Sequence, residues 1–175
     1  SKLSKSSETT LEQIYHELAS EHEQEAIDKI VEFGRQLVSQ GHLELLSLIE
    51  SVNIERLEPD LMAPMMQLQG DILLMLGRFE QASSIFETAS EAAKEAKLPV
   101  IYSEILGSQA DIAMKQGQTD TALRAHKEAL EVQVELGDAK GAARTYNNMG
   151  YLYRRKNDRN KALEAYSEVE AIISN

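Results

Sequence analysis

The sequence predicts an all-α chain of stacked antiparallel helix pairs. Three observations carry this: an internal repeat of 40 residues, apolar residues at helical spacing within each repeat, and no sustained period-2 alternation of the strand kind. Gly70, Ala110 and Gly150 stand 40 residues apart, as do Gly77, Gly117 and Asn157; Ala82, Ala122 and Ala162; Phe86, His126 and Tyr166; and Ala89, Ala129 and Val169. Residue size is kept at nearly every one of these places. A 40-residue helix pair cannot bury its apolar face alone, so neighbouring pairs must stack on it.

Taken in order, residues 1–23 read as a disordered leader, Ser1 to Glu8, and a short capping helix marked by Leu11, Ile14, Tyr15 and Leu18. Residues 24–58 read as a degenerate repeat, because Gly34 and Gly41 keep the seven-residue spacing of Gly70 and Gly77 but are offset by 36 residues. Residues 59–98, 99–138 and 139–175 are the three full repeats. Pro59 and Pro99 open two of them at a first-turn site that tolerates a missing N–H. Pro64 falls inside a predicted helix, so that helix begins later or bends. Around it, Met62, Met65, Met66 and Met75 form either deformable core or an adaptable binding surface. In the last repeat Ala142, Ala143, Tyr146, Met149, Gly150 and Tyr153 mark one helical face, and Ala162, Ala165, Tyr166, Val169, Ile172 and Ile173 mark another. Between them Asp158 is placed to cap the second helix, while Gly77 and Gly117 suit the equivalent turns. Gly or Ala where two helices cross lets the backbones approach, and the aromatic opposite fills the remaining space.

Composition narrows the function. The 175 residues include 18 Lys/Arg against 29 Asp/Glu, a net charge of −11, which argues against nucleic acid and anionic membranes as partners. Cys is absent, and with it disulfides, thiolate metal sites and Cys nucleophiles. The longest apolar run, Ile72 to Leu76, is far short of the ~20 residues that span a bilayer, and Ser1 to Thr10 carry no hydrophobic leader. A soluble, cytoplasmic protein is expected.

No catalytic constellation, cofactor motif or metal site is expected. His16-Glu17…His22 lacks the i,i+4 histidine pair of a zinc-protease helix, since Ser20 takes that place. There is no Lys-Ser/Thr ending after Gly70 to Gly77, no Gly-x-Ser-x-Gly elbow and no Gly-x-Gly-x-x-Gly turn. The pairs Glu21/Glu25 and Glu91/Glu95 read as solvated helix faces. Charge is uneven, with seven basic and four acidic side chains over residues 139–175.

The motif Gly70…Gly77…Ala82…Phe86…Ala89 resembles the tetratricopeptide repeat (TPR) family in its longer, roughly 40-residue variant. So does Asn147-Asn148-Met149-Gly150-Tyr151-Leu152-Tyr153…Lys161-Ala162-Leu163…Tyr166, together with Leu136-Gly137-Asp138. The resemblance is strong over residues 60–175 and weak over 24–59. Departures are His126 for an aromatic, Gln69 and Gln109 for larger apolar residues, and Asn157 for Gly. It implies a right-handed superhelix whose first helices line a concave groove, and a non-catalytic scaffold that binds a peptide or partner helix there. Kinesin light chains and bacterial regulators carry such repeats. Matching helix faces places Gln67, Asp71, Glu104, Ser108, Asp111, Arg144, Asn147, Asn148, Tyr151 and Arg155 on the groove, with Pro64, Leu68, Leu74 and Lys115 beside them. In kinesin light chains an Asn of the matching pair contacts peptide backbone, which makes Asn147 and Asn148 the lead candidates. Arg144, Arg154 and Arg155 would receive an acidic part of the partner. The family's carboxylate clamp is matched only by Arg144 and Asn148, and Asp71 opposes it, so a chaperone-tail receptor is disfavoured. The alternative is a self-associating homo-oligomer, joined through uncapped solenoid ends, or a regulatory segment of a larger signalling or transcription-regulator protein.

Overall fold

The computed structural model describes residues 2–20 and 22–174, with side chains from residue 9 onward. Among them are nine α-helices and a 3₁₀ turn, with no strand. The chain divides into two units, residues 1–92 and 93–175.

The first unit holds α1 (Lys2–Ala19), α2 (Glu23–Ser39), α3 (Leu45–Ser51), the 3₁₀ turn Ile54–Arg56, α4 (Pro59–Met75) and most of α5 (Phe79–Glu95). The expected leader begins outside the described residues at Ser1, and α1 runs from Lys2. Ile14, Ala26, Ile30, Leu45, Ile49, Met65 and Ile72 are completely buried and form the core. Lys29 of α2 reaches back to Glu17 of α1. Two glycines set how closely the helices pack. A Cβ on Gly34 would lie 2.3 Å from Leu68 Cδ2, and one on Gly70 would lie 2.5 Å from the Phe86 ring. α3 has only seven residues and ends where Val52 turns extended, so the pair begun by α2 is truncated.

Three expectations are revised here. α4 starts at Pro59 and contains Pro64, so the helix does not begin later. Met65 and Met66 are buried and Met62 half-buried, whereas Met75 is 57% exposed, so core filling accounts for only part of that cluster. Tyr15, assigned to the apolar face of the capping helix, is exposed and lines a cleft with Leu11, His42 and Leu48.

The second unit holds the end of α5 and then α6 (Pro99–Lys115), α7 (Thr119–Glu135), α8 (Ala139–Arg155) and α9 (Arg159–Ser174). Its core is Ala110, Ala113, Ala122, Leu123, Met149 and Leu152. Gly150 sits under Tyr166, where a Cβ would come within 2.6 Å of the ring. Polar links fix the packing further. Thr145 Oγ1 donates to Gln133 Oε1 at 2.9 Å, which satisfies two buried side chains across α7 and α8. The Tyr102 hydroxyl donates to Glu128, and Lys94 lies 4.5 Å from the centre of the Tyr102 ring.

Helix ends repeat one solution. Arg78, Leu98, Gln118, Asp138 and Asp158 each donate a backbone N–H to the carbonyl five residues back. The residue before each of them is left-handed: Gly77, Lys97, Gly117, Gly137 and Asn157 have φ between 54° and 76°. Asp138 caps α8 through the Gly141 N–H at 2.9 Å, and Asp158 caps α9 through the Lys161 N–H at 3.2 Å.

Candidate functional site

α6 and α8 each bury one face and leave another to solvent. On α6 the inward residues are Ile105, Leu106, Ala110, Ile112 and Ala113; Glu104, Ser108 and Asp111, at steps of four and three, form a half-buried stripe. On α8 the inward residues are Thr145, Met149 and Leu152; Arg144, Asn147, Tyr151 and Arg155 are exposed, with Asn148 half-buried beside them. Burial pushes the Asp111 carboxyl above its ordinary range, and the positive charges of Lys115 and Arg144 pull it back. Arg144 on α8 thus acts electrostatically on Asp111 of α6, which brings the two stripes within one field. Tyr151 is 40% exposed, with the Arg154 guanidinium 5.6 Å from its ring centre. The stripe can therefore offer carboxamides that donate and accept together, an aromatic face, and charges of both signs.

Gln67 and Asp71 lie in the first unit. Gln67, expected on an open face, is 3% exposed, and its Oε1 accepts from Arg35 Nη2 at 2.7 Å. Leu68 is equally hidden against Gly34. The reason is α2, which covers that face of α4. Asp71 is half-buried. Eight of the ten expected site residues belong to α6 and α8, and the structure gathers those eight on the two stripes just described.

A second cleft, of about 390 Å³, lies off the stripes, on α7, the α8–α9 turn and the start of α9. Arg124, Lys127, Lys156 and Lys161 line it with Tyr153 and Asp120. The sequence reading did not single it out. Comparing the repeats in register for charge, not for size, is the signal that finds it. Among the described residues no group of His, Asp and Glu gathers to hold a metal ion, and no helix is long and apolar enough to cross a membrane.

Helix pairs with buried inner faces and open polar stripes define a helical-repeat scaffold. Residues 102–174 match the tetratricopeptide repeat family. Proteins of that family are generally non-catalytic interaction scaffolds. No curated protein matches the chain. Among solved structures it is similar to BtubC from P. vanneervenii, with 22% identity over 97% of this chain and 70% of that one, at a TM-score of 0.67. It is similar to MamA, with 14% identity over 88% of this chain and 82% of that one, at a TM-score of 0.64. It is also similar to aspartyl phosphate phosphatase F from Bacillus subtilis, with 18% identity and a TM-score of 0.66; 96% of this chain aligns, but only 40% of that protein. At these identities the likeness shows the fold, a tetratricopeptide-type helical solenoid.

Proposed function

We propose that the protein is a non-catalytic interaction module that holds a peptide or partner helix along the open stripes of α6 and α8. The observation that carries this reading is the stripe pair itself. Glu104, Ser108 and Asp111 form a half-buried stripe on α6, and Arg144, Asn147, Asn148, Tyr151 and Arg155 an exposed to half-buried one on α8, while the same helices bury their opposite faces. In this reading Asn147 and Asn148 hold peptide backbone, Arg144 and Arg155 receive acidic side chains, and Tyr151 supplies contact area at low conformational cost. Complex formation then needs no covalent step, and the partner is held by many modest contacts. A cytoplasmic setting fits this role.

The test is affinity selection of a random peptide library, repeated with Asn147→Ala/Asn148→Ala. Peptides retained by the parent protein are expected to bind the double variant about tenfold more weakly, as for a modest hot spot, while circular dichroism stays unchanged. Equal binding by both proteins defeats the stripe assignment.

A second reading, self-association or service as a regulatory segment of a larger protein, is favoured by α9, where Leu163 is 60% and Ile173 75% exposed. A mass that rises with concentration in sedimentation, and is held monomeric by Leu163→Glu, would select it.

A further inference from the structure

We infer that the cleft on α7 and the α8–α9 turn is a second docking surface, which takes an acidic segment of a partner polypeptide. It lies apart from the α6/α8 stripes, and the inference does not rest on them.

Four cations, Arg124, Lys127, Lys156 and Lys161, line about 390 Å³ and meet two carboxylates, Asp120 in the lining and Asp158 beside Lys161. This excess of positive charge stands on a chain whose net charge is −11. Folding does not demand it. Forty residues earlier in the repeat register the places of Arg124, Lys127, Lys156 and Lys161 are held by Ser84, Glu87, Gln116 and Thr121, without one positive charge. The place of Tyr153 is held there by Ala113. α7 and α8 have the same length of 17 residues as α5 and α6, so helices of this length form without these cations and the ring.

The cleft's own chemistry says what they suit. Lys156 is already paired with Asp120, and that ion pair holds the Asp120 carboxyl below its ordinary range. Lys161 pairs with Asp158 at 3.0 Å and stands 5.8 Å from the centre of the Tyr153 ring. Carboxylates of the chain itself thus show how the lysines accept an anion. Arg124 spends one Nη2 hydrogen on Thr121 Oγ1, and its other donors remain for a ligand. Lys127 is exposed one helical turn away. Arg124 and Lys127 are separated by about 4.5 Å along the axis of α7, and the two lysines come from a different stretch of chain. Several cations from two stretches of chain, with an aromatic ring among them, fit successive carboxylates along a segment better than they fit one compact ion.

The counts per unit agree. Residues 93–175 carry 12 basic and 12 acidic side chains, whereas residues 1–92 carry 6 and 17. An acidic partner therefore meets a neutral unit with a local positive cleft, and charges beyond about 10 Å are screened at ordinary ionic strength.

The experiment is fluorescence anisotropy with labelled hexaglutamate, and hexaglutamine as the neutral control. The comparison variant is Arg124→Ser/Lys127→Glu/Lys161→Thr, which installs the residues of the preceding repeat. Hexaglutamate is expected to bind, hexaglutamine not to bind, and the variant to lose about tenfold in affinity, with binding weakened by added salt. If the triple variant fails to fold by circular dichroism, Lys127→Gln alone, at an exposed position, should still cost a few-fold. The inference is overturned if hexaglutamate does not bind, if hexaglutamine binds equally, or if the charge variants bind as the parent does. Saturable binding of inorganic phosphate without hexaglutamate binding would also overturn it, in favour of a small-anion site.

Discussion

His126 occupies the place held by Phe86 and Tyr166 in the neighbouring repeats, and the residue sixteen positions earlier changes with it. Gly70 and Gly150 lie under their rings so closely that a Cβ would collide. Ala110 carries a methyl group at the corresponding site, and the smaller imidazole leaves room for it. The exchange has an electrostatic cost. His126 is 1% exposed, neither ring nitrogen finds a hydrogen-bond partner, and burial, with the Arg144 charge adding to it, pushes its pKa down to about 4. The unfolded chain takes up the proton near pH 6.5, so between that pH and about 4 it binds more protons than the folded chain. Stability is therefore intact above pH 6.5 and falls as the pH drops toward 4, by about 2 kcal/mol at pH 5 on this group alone. Ala110→Gly/His126→Phe, which rebuilds the Gly70/Phe86 pair, should remove that share of the acid sensitivity. His126→Phe alone should be the less stable protein, by about 1–3 kcal/mol of overpacking against the Ala110 methyl. Urea unfolding of the three proteins at pH 7.5 and pH 5 decides both points; identical pH dependence in parent and double variant would refute the first.

Among the elements, the helix ends respond most predictably to substitution. Lys97 and Asn157 hold the left-handed conformation that Gly77, Gly117 and Gly137 hold elsewhere, with φ of 54° and 59°. A side chain with a Cβ pays about 1–2 kcal/mol there, and Asn pays less than Lys because its short amide tolerates the region. Lys97→Gly should therefore raise stability by about 1 kcal/mol, and Asn157→Gly by less. Chemical denaturation measures both, and a Lys97→Gly protein that is no more stable than the parent would count against the argument. These turns also show what was legible in advance. The all-α helix-pair fold follows from residues that act locally or in strict register, such as Gly70 with Phe86, Gly150 with Tyr166, and the capping Asp158. The site was harder to read. Placing Gln67 and Leu68 required knowing that α2 covers α4, and the repeat containing α2 is truncated and offset from the others, so faces transferred from the later repeats pointed these two residues outward. The basic cleft was missed because its charges come from two stretches of chain that meet only once α7 and α8 have packed.

Over the whole molecule the net charge of −11 is carried entirely by residues 1–92, while residues 93–175 balance to zero. Like charges 10 Å apart in water repel by about 0.4 kcal/mol, and many such pairs arise among the 17 acidic side chains of the first unit, where only 6 basic ones offset them. Packing in that unit, around Ile14, Ile30, Ile49 and Met65, works against this repulsion. Salt should relieve it, because the Debye length falls from about 30 Å at 0.01 M to about 3 Å at 1 M. The second unit has no comparable excess, and its ion pairs Lys156–Asp120 and Lys161–Asp158 weaken slightly under the same screening. Hydrogen exchange read segment by segment should therefore show protection rising with sodium chloride across α2 and α4, by about 1 kcal/mol in local opening free energy, and staying level or falling across α7 and α9. A uniform response in both units would mean that charge self-repulsion does not set their relative stability, and that the asymmetry is spent on partners alone.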